Sequence, residues 1–132
     1  MRHTLTHLHP DRIGHGVRSA EDPAVLAEVV DRGIVLEVCP GSNVALGVYE
    51  EPEAVPLRAL LNAGAQVALG ADDPLLFGSR LLDQYVIARE VHGLDDEALA
   101  GLARSSITGS RAPSDLRTSM LQGVDDWLAT PA

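Results

Sequence analysis

The stretch Gln66–Phe77, QVALGADDPLLF, decides how the chain is read. Val67-Ala68-Leu69-Gly70 has the composition of a short buried strand, and it stops abruptly at Ala71-Asp72-Asp73-Pro74. Two adjacent carboxylates just past a buried strand must be solvated, paired or bound to a cation, or they take up a proton. In an α/β sheet or barrel, ligands and metals sit at that end of the strands. Asp-Pro is equally a helix start, with Asp73 as N-cap and Pro74 at the first helical position. The dipeptide alone leaves both readings open, and the cap is the commoner use of such a pair.

Upstream of this stretch, Pro56 to Ala63 has the spacing of a short helix with Leu57, Leu60 and Leu61 inward, ending at Gly64. Ile34 to Val38, IVLEV, reads as a buried parallel strand. Glu37 inside that run needs a partner. It either orients a site histidine or forms a structural hydrogen-bonded pair, the second being the preferred reading. Cys39-Pro40-Gly41-Ser42-Asn43 follows as a loop, again just past a strand, and the acidic run Glu50-Glu51-Pro52-Glu53 is a solvated surface. Ala24 to Asp31 carries Val25, Leu26, Val29 and Val30 at helical spacing, opened by Glu21-Asp22-Pro23 and closed by Gly33.

Asp11 to Gly16, DRIGHG, offers a brief strand over Arg12-Ile13-Gly14, with His15 at its end between two glycines. A lone histidine at a turn is most often structural or exposed. The first ten residues, MRHTLTHLHP, place His7 and His9 at a spacing used in some metal sites. On a helix, residues two apart face different directions, so a solvated helix end or a disordered terminus is the expectation there.

Downstream, Ser79 to Val91 carries Leu81, Leu82, Tyr85, Val86 and Ala88 at helical spacing, with His92 as a favourable charge at its C-terminus. A second helix starts at Leu94–Glu97, with Leu99, Leu102 and Ala103 inward. A final amphipathic helix runs from Ser114 to Ala129, with Leu121, Val124, Trp127 and Leu128 on its apolar side. Strand and helix therefore alternate three times before extra helices, the pattern of a parallel sheet with right-handed crossovers. His15, Cys39–Asn43 and Asp72–Asp73 all fall at strand C-terminal ends, on one face of that sheet. This convergence turns the reading toward a site.

Length and composition set the limits. The chain has 132 residues, enough for one domain, with 45% hydrophobic and 22% charged residues. Its formal net charge of −9 leaves no basic face to neutralise phosphates and argues against nucleic acid. The single cysteine, Cys39, excludes an intramolecular disulfide and any zinc site built on two or three thiolates. No apolar stretch reaches the ~18 residues of a membrane span, and the first residues do not form a signal peptide. The expectation is a cytoplasmic protein that binds no membrane.

DRIGHGVRSAEDP, then LEVCPGSN, then GADDPLLFG, then Tyr85 and the Gly93-Leu94 junction occur in the order of the adenosine deaminase family, which the chain resembles over about residues 10 to 130. The family consists of metal-dependent purine deaminases on a (β/α)8 barrel. The resemblance implies an α/β fold made of roughly the last three β/α units of a partial TIM-type barrel plus C-terminal helices, as a single domain over residues 1–132 truncated on its N-terminal side. It implies hydrolytic deamination of adenosine or a related aminopurine nucleoside, with zinc as cofactor. His15 matches the catalytic histidine that orients the metal-bound water, Asp72 the zinc-ligating aspartate, and Asp73 the aspartate that hydrogen-bonds a purine ring nitrogen.

The chain also departs from the family. The family's His-x-His metal pair, its third metal histidine and its proton-donating glutamate would all precede Asp11. His7 and His9 share the spacing of the pair but lie in the wrong element. Ala71 stands where the family has a small hydroxyl residue, Gly41 where it has a larger one, and Arg111 where an aromatic is expected, which should weaken packing of the C-terminal helices. A catalytic zinc site needs about three protein ligands, so the chain by itself is expected to be inactive. The rival readings are a non-catalytic remnant or interaction fragment, and a deaminase of adenine or a modified nucleoside. Open strand edges and an exposed apolar face would favour self-association or a partner bearing the missing half.

Overall fold

The structure, a computed structural model, describes residues 1–130. Three strands, β1 (Arg12–Gly14), β2 (Val35–Val38) and β3 (Val67–Leu69), form one parallel sheet in the order β1-β2-β3. Ile13 pairs with Leu36 and Leu36 with Val67, while Gly14, Glu37 and Ala68 share the next row. The expected alternation of strand and helix is thus present, and it brings all three strand C-termini to one end.

Helix α1 (Arg2–Leu8) precedes β1, so of the two expectations for the first ten residues the largely exposed helix is found and the disordered terminus is not. Leu5 explains this, because it is fully buried in the core. Helix α2 (Pro23–Asp31) connects β1 to β2. Its Asp22 cap accepts from Ala24 N at 3.1 Å and Val25 N at 3.3 Å, with Pro23 at the first turn. Helix α4 (Leu57–Asn62) leads into β3 and buries Leu57 and Leu60. Leu36, Val38, Val67 and Leu69 share one core with Val25 and Val29 of α2 and Leu57 and Leu60 of α4. A fully buried leucine of this kind stabilises by roughly 2–5 kcal/mol, the usual cost of truncating it to alanine. Period-two alternation puts Arg12, Gly14, Glu37 and Ala68 on the opposite face of the sheet.

Several elements differ from expectation. Cys39–Asn43 is not a loop: α3 (Pro40–Ala45) begins immediately after β2, with Pro40 in its first turn. After β3 comes the four-residue α5 (Pro74–Phe77), then α6 (Leu81–Glu90). In α6 the buried residues are Gln84 and Ala88, whereas Leu81, Leu82 and Val86 are exposed. Helices α7 (Asp96–Thr108) and α8 (Ser114–Ala129) pack on each other. Leu99 and Leu102 of α7 are buried as expected, but α8 buries no residue completely and Trp127 stays 48% exposed. Arg111, placed where an aromatic was expected, pairs with Asp11 and so ties the α7–α8 turn to the start of β1. Among the described residues no helix is long and apolar enough to cross a membrane.

Candidate functional site

The site is assembled at the C-terminal ends of the strands. His15 follows β1 directly in a left-handed backbone conformation, φ 51° and ψ 35°. Gly16 packs tightly there, since a Cβ would stand 2.5 Å from Leu36 Cδ2 and force that buried side chain to shift. Asp72, three residues past β3, is also left-handed at φ 58°. Positive φ at a residue other than glycine costs of order 1–3 kcal/mol and concentrates at functional positions. Of the described residues only His9, His15 and Asp72 adopt it outside glycine.

Asp72 is held from two sides. The buried Ser42 hydroxyl on α3 donates to Asp72 Oδ2 at 2.6 Å, and His15 Nε2 stands 3.5 Å from the same oxygen. The His15–Asp72 separation exceeds a normal hydrogen bond, so the two are close neighbours rather than a bonded pair. Both line a cleft of about 310 Å³ whose floor includes Arg12, Glu37 and Ala68. Arg12 Nε donates to Glu37 Oε1 at 2.6 Å, the structural pair expected for a carboxylate inside a strand. Cys39 also faces this cleft. Burial, reinforced by the charge of Asp72, raises its thiol above the ordinary range and so disfavours the thiolate.

Asp73 uses Oδ1 to cap α5, accepting from Leu75 N and Leu76 N, both at 3.0 Å. The cap leaves Oδ2 out of its bonding, so capping and ligand contact are compatible on one carboxylate. Asp73 is exposed and does not line the cleft that His15 and Asp72 share.

His7 and His9 are elsewhere. His7 lies on α1 with its ring stacked on His3, centroids 4.1 Å apart, and His9 lines a depression with Asp11 and Ile34 at the N-terminal end of the strands. They cannot reach Asp72. Among the described residues no group of three or more His, Cys, Asp or Glu could hold a metal ion. His15 and Asp72 offer two donor side chains, and one oxygen of Asp72 is already engaged by Ser42. The residues present therefore do not by themselves fit a zinc site.

Sequence reasoning marked the Cys39–Asn43 segment but not Ser42 as the residue that reaches Asp72. The signal was a hydroxyl one turn into a helix that starts at a strand end. Nothing in the sequence pointed to Gln84, which is fully buried on α6 and accepts from Gly41 N at 2.8 Å.

His15 and Asp72 stand beyond the C-terminal ends of parallel strands, the end at which ligands and metals sit in α/β sheets and barrels. The adenosine deaminase family profile matches residues 1–127, and the chain belongs to that family. A Streptomyces coelicolor protein named "Putative adenosine/adenine deaminase" is 62% identical over 97% of this chain and 37% of its own length. The crystal structure of an adenine deaminase from Arthrobacter aurescens superposes with a TM-score of 0.93 at 32% identity, covering 98% of this chain and 39% of that one. An amidohydrolase from Burkholderia ambifaria, solved with bound Zn, gives a TM-score of 0.78 at 24% identity over 97% of this chain and 38% of its own, a likeness of fold alone. The chain thus spans under two fifths of the length of these relatives.

Proposed function

We propose that residues 1–130 supply one part of a purine deaminase site, with the sheet as an arc of a (β/α)8 barrel contributing its last three β/α units, in one domain. The observation that carries this reading is the convergence of His15 Nε2 and Ser42 Oγ on Asp72 Oδ2 at the strand C-termini, within the stretch the family profile matches. In this reading Asp72 keeps its second oxygen for a cation or a water. His15 exchanges a proton with that water as it adds to the amino-bearing ring carbon. Asp73 Oδ2, when it carries a proton, donates a hydrogen bond to a purine ring nitrogen. Zinc belongs to the reading through the family. Among the described residues no group of three or more His, Cys, Asp or Glu could complete its ligands.

The substrate is an aminopurine, adenine or its nucleoside. The names of the relatives support both. The test is a chimera in which residues 1–127 replace the matching stretch of the Streptomyces coelicolor relative. Release of ammonia from adenine or adenosine is expected, and its abolition by Asp72→Ala. A folded chimera without turnover would overturn the reading and favour a non-catalytic interaction fragment.

The partner implied is polypeptide. Leu82, Val86, Met120 and Trp127 line an apolar trough between α6, α7 and α8, and β1 and β3 are each paired on one side only. Both features favour association, with another copy or with a chain bearing the complementary units.

A further inference from the structure

We propose that Gln84 is a positioning residue for Asp72, acting from α6 through the backbone of Gly41 and the side chain of Ser42. Gln84 is fully buried on a helix whose neighbouring Leu81 and Leu82 are exposed, so the fold turns an uncharged amide inward where apolar side chains were available. The amide is engaged at both ends. Its Oε1 accepts from Gly41 N at 2.8 Å, and its Nε2 donates to Ser79 Oγ at 2.7 Å and to Arg80 O at 3.2 Å.

Gly41 N belongs to the first turn of α3, where backbone N–H groups have no partner within the helix. Cys39, at the N-cap position, provides no side-chain bond. Gln84 therefore caps α3 from a different helix. Gly41 leaves room for this arrangement, because a Cβ at residue 41 would lie 3.2 Å from Gln84 Nε2 and 3.3 Å from its Oε1. The next residue, Ser42, is the one that grips Asp72 Oδ2. Asp72 sits at φ 58° and relaxes away from that conformation unless neighbours hold it. The chain of contacts Gln84, Gly41, Ser42, Asp72 is thus continuous, and the Gln84 and Ser42 side chains in it are fully buried. Its consequence is orientation: with Oδ2 fixed by Ser42, the direction of Oδ1 depends on where α6 holds the start of α3.

This role rests on the deaminase reading for its purpose, not for its geometry. The test is NMR on the full chain, comparing the native sequence with Gln84→Met, Gln84→Glu and the core control Val29→Ala on α2. In Gln84→Met the Gly41 amide is expected to exchange on the order of tenfold faster, from loss of one hydrogen bond. The Asp72 carboxyl carbon resonance is expected to move with it. Gln84→Glu keeps an acceptor for Gly41 N–H and restores both signals. Val29→Ala, compared at equal loss of melting temperature, leaves both unchanged. Should Gln84→Met fail to fold, Gly41→Ala carries the test, since its methyl group crowds the Gln84 amide and should move the same resonance. An Asp72 resonance that stays put overturns the proposal, as does one that Val29→Ala moves equally or that Gln84→Glu fails to restore. None of these signals needs metal or turnover, so an inactive chimera and a failed relay are separate results.

Discussion

Ser42 Oγ and Asp72 Oδ2 are 2.6 Å apart, joining the start of α3 to the end of β3 across the site. Ser42 is fully buried, so Ser42→Ala removes a charge-assisted bond without giving water easy access. The expected loss is about 1.5–3 kcal/mol. Urea denaturation of Ser42→Ala measures it, and an unchanged midpoint would show that the contact is energetically idle. Asp72→Asn keeps an acceptor for Ser42 and tolerates the left-handed backbone, so it should retain stability while abolishing turnover in the chimera.

The two roles of Asp73 separate by substitution. Asp73→Ala deletes the α5 cap at a cost of about 0.5–2 kcal/mol. Asp73→Asn preserves the cap through its amide oxygen but replaces the proton-exchanging carboxyl of the proposed purine contact with an amide. Thermal melts of the two variants, set beside turnover of the corresponding chimeras, should give a stable inactive protein for asparagine. An active asparagine chimera would return Asp73 to a purely structural role.

Arg12 and Glu37 form a half-exposed pair on the cleft side of the sheet, and Arg12 Nη1 is buried without a partner. Glu37→Ala should therefore cost about 1–2 kcal/mol, because it leaves the guanidinium uncompensated. The double variant Arg12→Met, Glu37→Leu should recover most of that loss. Denaturant midpoints of the single and double variants decide the matter, and equal losses in both would argue against an uncompensated charge.

His92 is expected to contribute to the acid limb of stability. It was expected to carry a favourable charge at a helix C-terminus, but it is buried, its Nε2 has no partner, and the Arg58 guanidinium bonds to its carbonyl. Burial first, and the Arg58 cation second, lower its pKa from 6.5. The native state then holds a neutral ring while the unfolded chain binds a proton. That contribution is complete above pH 6.5 and is lost as the pH falls toward the depressed native value. Between pH 7.5 and 5 the melting temperature should fall in the native sequence and fall less steeply in His92→Gln. Parallel curves would show that the slope comes from other groups.

The isolated chain, loaded with zinc, is expected to release no ammonia from adenosine or adenine, since the described residues bring together two donor side chains. Sedimentation should show self-association through the apolar trough, weakened by Val86→Asp. A cooperatively melting monomer would count against the trough as a contact surface.

The parts of the fold that could be read in advance were those with local chemical punctuation. Asp22-Pro23 and Asp73-Pro74 announce their helices because capping acts within three residues, and both caps form as read. The strand ends could be placed because the apolar runs VLEV and VAL give way to Pro40-Gly41 and to Gly70-Ala71-Asp72, where proline, glycine and a charge end the strand pattern. Burial within α6 could not. Helical spacing shows that Leu81, Leu82 and Val86 share a face, but which neighbour covers it is a tertiary matter, and there the buried position went to Gln84. The contacts of Asp72 were hidden for the same reason. Ser42 lies 30 residues away in sequence, and no local pattern encodes that distance. His92 was misjudged because its position after a helix says nothing about the segments that enclose it.

The left-handed backbone at His15 has a practical corollary for engineering. A library of this chain sorted only for heat tolerance should drift toward glycine at residue 15, where relief of the backbone strain is worth of order 1 kcal/mol and the exposed imidazole forfeits little packing. Asp72 should resist the same drift for longer, because glycine there also surrenders the contact with Ser42. Thermal selection without a functional screen would thus erase the imidazole first, and the most robust clones would be those least suited to chemistry.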